Sequence, residues 1–131
     1  PLTRTLETFS IAFPHAEPII ESQIREHLFH SCDVGRQPKF LKREFKNYDF
    51  SNLSDFWWNY NTPINEKKIV QESLNDISVR LKSFLLSIRN LKLRKIVLLS
   101  HGSFLRQITG YMLDNCEIYD CEFDEIYKRF F

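Results

Sequence analysis

The stretch from Lys95 to Arg106, KIVLLSHGSFLR, decides the fold. Lys95 to Ser100 is a continuous apolar run with β-branched residues, the pattern of a parallel strand buried on both faces. Gly102 to Leu113 then carries Phe104, Leu105, Ile108, Tyr111 and Met112 at helical spacing. A buried strand, a tight turn at Ser100-His101-Gly102 and a helix predict an α/β architecture. In open α/β sheets, ligands bind beyond the carboxyl ends of strands, where the next helix aims its free N–H groups and positive dipole end outward. His101 falls at that place. Gly102 lets a ligand approach the backbone, and Ser103 is positioned to cap the helix or to donate to an oxyanion. Arg106 lies one turn further in.

Upstream, the spacing predicts a long helix from Glu66 to about Asn90. Its inner face is Ile69, Val70, Leu74, Ile77, Leu81, Leu85 and Ile88, and Glu72, Asp76, Arg80 and Lys82 fill the other face. At the start, Pro1, Leu2, Leu6 and Phe9 predict a short amphipathic helix that Pro14 stops. Ile19 and Ile20 suit a short strand within Pro18 to Ile24. From Arg25 to Asn65 no period persists among Phe29, Phe40, Phe45, Tyr48, Phe50, Phe56, Trp57 and Trp58. An inserted aromatic-rich lid or loop region with short helices is expected at about residues 27–65, within one domain over 1–131. Trp57 and Trp58 read as lid or core packing rather than a base-stacking platform, because no basic stripe surrounds them. In the tail, Ile118, Tyr119, Phe123 and Ile126 predict a closing strand or helix.

The 131 residues suit a single globular domain, with 43% hydrophobic and 15% aromatic content. Eighteen basic residues nearly balance seventeen acidic ones for a net charge of +1, so no global field draws the chain to nucleic acid or an anionic membrane. Any anion site must be local. Cys32, Cys116 and Cys121 are an odd number without paired or zinc-ligand spacing, so reduced thiols in the cytosol or nucleus are expected, with no structural metal. No apolar run is long enough to span a bilayer, and no secretory signal pattern opens the chain.

IVLLSHGSFLRQITG resembles the second histidine motif of the histidine phosphatase superfamily, the phosphoglycerate-mutase-like enzymes. The opening PLTRTLETF is similar to that family's S-P-L-x-R-x-x-Q-T element. IREHLFHSCDVG resembles the L-x-E element followed by the C-D-x-G of small fungal phosphatase-like members, and Glu72-Ser73 resembles the E-S that begins the family's long helix. These motifs run from residue 1 to about residue 118. The resemblance implies a three-layer α/β sandwich with a mostly parallel sheet flanked by helices, and phosphomonoester hydrolysis without metal or organic cofactor. It implies that Arg4, Gly102 and Ser103 bind phosphate, that His101 stabilises charge on the phosphoryl group, and that Glu26 protonates the leaving group. Arg4 suits its role because the guanidinium fork pairs with two phosphate oxygens. Glu26 must hold a proton when the alkoxide departs, which calls for desolvation; Phe29 and the aromatic insertion are suited to supply it.

One element is missing. The family's covalent nucleophile is a histidine in an R-H-G element upstream of S-P-L, and this sequence contains no Arg-His-Gly. His15, His27 and His30 lack its flanking residues and lie after the S-P-L-like segment. The expectation is therefore a domain lacking its N-terminal βα unit, which keeps its phosphate pocket but does not turn over and self-associates through an exposed sheet edge. A non-catalytic interaction module is the alternative. Mutase activity is a further one, against which stands Glu26-His-Leu-Phe-His where cofactor-dependent mutases carry E-R-H-Y-G. A cysteine phosphatase is excluded, since Cys32 has Gln37 or Pro38, not arginine, at loop distance. The expected partner is a phosphorylated small molecule or inorganic phosphate.

Overall fold

Leu2 is extended, and its carbonyl accepts from the N–H groups of Thr5 and Leu6, which starts helix α1 (Thr3–Ala12). Phe13 closes it ahead of Pro14, as the sequence predicts. The computed structural model describes residues 1–59, 69–91 and 93–131. Four further helices follow: α2 (Pro38–Glu44), α3 (Leu74–Arg89), α4 (Gly102–Thr109) and α5 (Phe123–Phe130), with single 3-10 turns at Ser22–Ile24 and Ser31–Asp33.

No strand occurs among the described residues, so the expected three-layer sandwich with a parallel sheet is not the observed architecture. Lys95 to Ser100 and Pro18 to Glu21 both lack strand structure. A strand exists only through ladder hydrogen bonds to a neighbour, whatever its composition. The backbone N–H groups of residues 95–99 make no bond to any other described residue, and Val97 stands 74% exposed. Among the described residues, residues 95–99 form an unpaired segment with exposed apolar side chains at Ile96 and Val97 in place of the expected strand.

The long helix also starts later than its periodicity suggests. Glu66 lies outside the described residues, while Ile69 and Val70 are non-helical and exposed. A capping box sets the start. Ser73 accepts from the Asp76 N–H at 3.2 Å, and the Asp76 carboxylate accepts from the Ser73 N–H at 2.8 Å. At the other boundary, α4 stops at Gly110 rather than continuing to Leu113. Gly110 takes φ +87°, the left-handed cap that a glycine adopts freely, and Tyr111 and Met112 then lie outside the helix and exposed.

Two apolar clusters hold the chain. One joins Leu2 and Leu6 of α1 to Ile20, Leu28, Leu41, Phe50, Trp57 and Trp58. The tryptophans are therefore core, and they pack so closely on Gly35 that a Cβ there would lie 2.3 Å from the Trp57 ring. The other cluster packs Ile77, Leu81 and Leu85 of α3 against Phe104 and Ile108 of α4 and Ile126 of α5. Of the residues expected in a closing strand or helix, Phe123 and Ile126 lie in α5, while Ile118 and Tyr119 precede it and Ile118 is exposed. No helix among the described residues is long and apolar enough to cross a membrane.

Candidate functional site

α1, the segment after the first 3-10 turn and the start of α4 meet around a cavity of about 530 Å³, lined among others by Arg4, Thr5, Glu26, Ser100, His101 and Gly102. Arg4 and Thr5 come from the first turn of α1, and His101 is the N-cap of α4. The cavity thus collects four of the five residues singled out from the sequence. The fifth, Ser103, lines a neighbouring pocket of about 350 Å³ that shares Glu26.

His101 is buried, and its Nε2 lies 2.9 Å from the Thr5 hydroxyl. Burial first, and then the positive charge of Arg4, pushes its pKa down to about 3 from the ordinary 6.5, so the ring is neutral near pH 7. A neutral imidazole donates through one nitrogen only, and the Thr5 contact bears on which one. Thr5 was not singled out in the sequence, because facing His101 depends on packing 96 residues away.

Arg4 is half exposed but not free. Its Nη1 donates to the Cys32 carbonyl at 2.9 Å, and its Nη2 pairs with the buried Asp33 carboxylate at 3.2 Å. Asp33 also accepts from the His30 N–H, which fixes the 3-10 turn against α1. In the sequence Asp33 stands only as the aspartate of the C-D-x-G-like element, with no sign of its pairing with Arg4.

Glu26 sits on the N-terminus of α4. Its carboxylate accepts from the N–H groups of Ser103 at 3.3 Å and Phe104 at 3.1 Å, so donors expected to face a ligand are engaged by the chain's own carboxylate. The Ser103 hydroxyl does not cap the helix, since His101 is the N-cap and no side-chain cap bond is made. The Ser100 hydroxyl is also committed, donating to the Ile24 carbonyl. Gly102 has ordinary backbone angles and faces Met112, whose Sδ would lie 3.0 Å from an added Cβ. Phe29, half exposed, lines the same neighbouring pocket as Glu26.

Behind the cavity lies a buried ionic knot. Glu72 accepts from Arg25 Nη2, from Arg80 Nε at 2.9 Å and Nη2 at 3.0 Å, and from the Leu28 N–H at 3.1 Å. Arg80 extends to the carbonyls of Gln23 and Glu26 and lies over the Phe104 ring. Arg80 and Glu72, placed by the sequence reading on the face opposite the apolar one, are buried; each is at most 5% exposed. The knot fixes the backbone of Glu26 to α3.

An arginine, a carboxyl and a histidine around one cavity form a set able to hold an oxyanion and exchange a proton with it. The sequence profile of the histidine phosphatase superfamily (branch 1) matches residues 1–122. The chain belongs to this superfamily, which supports a phosphatase- or mutase-like function on phosphorylated small molecules. A search of curated proteins finds no match, and neither does a search of solved structures.

Proposed function

We infer that the chain is the phosphate-holding and proton-donating part of a phosphomonoester hydrolase. The observation that carries this reading is the convergence of Arg4, Glu26, His101 and Gly102 on one cavity. Arg4 supplies the full positive charge, and neutral His101 gives one N–H to a phosphoryl oxygen whose negative charge grows as the ester bond breaks. The Gly102 backbone borders the same oxygens. Glu26 lies between this cavity and the adjoining pocket, where a leaving alkoxide would take its proton. Phosphoryl transfer to a histidine needs a nucleophile outside this set, since Arg-His-Gly is absent from the sequence.

The test is turnover of p-nitrophenyl phosphate by the chain alone and by the chain preceded by a segment carrying an Arg-His-Gly element. Activity in the extended protein, lost again in His101→Ala, is the expected result. Inactivity there with phosphate still bound would sink the hydrolase reading. It would favour a second one, a non-catalytic interaction module. That reading draws support from the pairing of Arg4 with Asp33 and of Glu26 with the α4 N–H groups, which leaves fewer donors open.

A further inference from the structure

The geometry points to a subsite for a neutral aromatic leaving group in the pocket beside Glu26; this rests on the phosphate reading of the main cavity. The pocket measures about 350 Å³, at the small end of ligand sites, and is lined by Glu26, His27, Phe29, His30, Asp33 and Ser103. Glu26 borders both cavities, so a phosphoester seated against His101 and Arg4 would extend its organic group past Glu26 into this pocket.

Three rings form the pocket's aromatic part. Phe29 lies edge-on to His30, with centroids 4.8 Å apart, and tilted against His27 at 5.6 Å. The His27 ring is anchored, because its Nε2 donates to the Glu72 carbonyl at 2.7 Å. Phe29 has no such anchor and is half exposed, leaving ring surface that a flat apolar group would cover. The remaining walls carry two carboxyl groups, and neither lysine nor arginine is among the lining residues. Arg4, the nearest cation, is already paired with Asp33, so a second carboxylate or phosphate on the substrate would gain no ion pair from the described lining residues, which gives no advantage to anionic leaving groups.

The experiment is a titration of the full chain with inorganic phosphate, methyl phosphate, phenyl phosphate and phosphoglycolate, followed by calorimetry and by NMR of the histidine ring protons. Phenyl phosphate is expected to bind about fivefold to tenfold tighter than methyl phosphate, as one aromatic contact provides. It should shift the His27 and His30 ring signals, and phosphoglycolate should gain nothing over methyl phosphate. In Phe29→Ala the phenyl advantage should vanish; the ring is exposed enough that its loss leaves no buried void. Equal binding of phenyl and methyl phosphate, or tighter binding of phosphoglycolate, would overturn the subsite while leaving phosphate binding intact. Failure of all four ligands to bind would overturn the phosphate reading, and the subsite with it.

Discussion

Glu72 and Glu26 are two carboxylates within one hydrogen-bonded region, tied through the backbone of residues 26–28, yet they are held in different ways. Glu72 is buried and receives two guanidinium groups and a backbone N–H. Glu26 is less buried, receives only backbone N–H groups, from His27, Ser103 and Phe104, and borders two cavities. A carboxylate locked between two arginines cannot change partners without stranding buried charge. One held only by neutral backbone amides, at 2.8 to 3.3 Å, can exchange them for a ligand or a proton at smaller cost than one locked in ion pairs. Glu72 is therefore frame, and Glu26 is the carboxyl that the frame positions and to which the proposed function gives the proton transfer.

Replacing Glu72 by Gln should break the frame. Two buried guanidinium groups would lose their counter-charge, costing about 3–5 kcal/mol in urea unfolding. A loss below about 1 kcal/mol would erase the distinction between the two carboxylates.

The long-range character of this knot also explains what the sequence could and could not say. Helix α1 and the inner face of α3 were legible, because Leu2, Leu6, Ile77, Leu81 and Leu85 obey a local period of 3.6 residues. The burial of Arg80 and Glu72 was not legible, because charged side chains are usually exposed and the partner Arg25 lies 47 residues from Glu72. Lys95 to Ser100 has the composition of a strand, but pairing is a property of two segments, and no described segment runs beside it. Tyr111 and Met112 continue the helical spacing, but Gly110 ends the helix first. Arg4, Glu26, His101 and Gly102 were named through family motifs, and their meeting at one cavity depends on packing that no local pattern records.

A second measurement concerns His101, a buried polar group at the site. Its folded pKa is depressed to about 3, so between that value and 6.5 the unfolded chain binds a proton that the folded one refuses. Stability from this group is complete above pH 6.5 and is lost as the pH falls towards 3, by up to a few kcal/mol. Melts at pH 7 and pH 4 should show a smaller difference in His101→Gln than in the parent chain. An unchanged difference would mean that the ring is solvated rather than buried.

Glu26→Gln should have a smaller effect on folding, about 1 kcal/mol, since an amide oxygen can still accept from the α4 N–H groups. In a protein supplied with a nucleophile it should slow turnover by about 10²–10⁴-fold for substrates with poor leaving groups. A stability loss as large as that of Glu72→Gln would place both carboxylates in the frame. Smallest of all is Arg4→Ala, because the Arg4 side of its ion pair is half exposed and Asp33 keeps the His30 N–H; about 1 kcal/mol of stability is expected to be lost, with a clear loss of phosphate affinity by calorimetry. Unchanged phosphate affinity would remove Arg4 from the site.

The segment at residues 95–99, unpaired among the described residues, has a consequence for how the chain survives in solution. Proteases bind their substrates extended, with backbone groups free to bond, and this stretch offers such backbone beside Arg94 and Lys95. Its amides should exchange with deuterium ahead of those in α3 and α4. A trypsin-like enzyme should make an early cut here, and that single scission would part His101 from Arg4 and Glu26, leaving each half of the site on a different piece of chain.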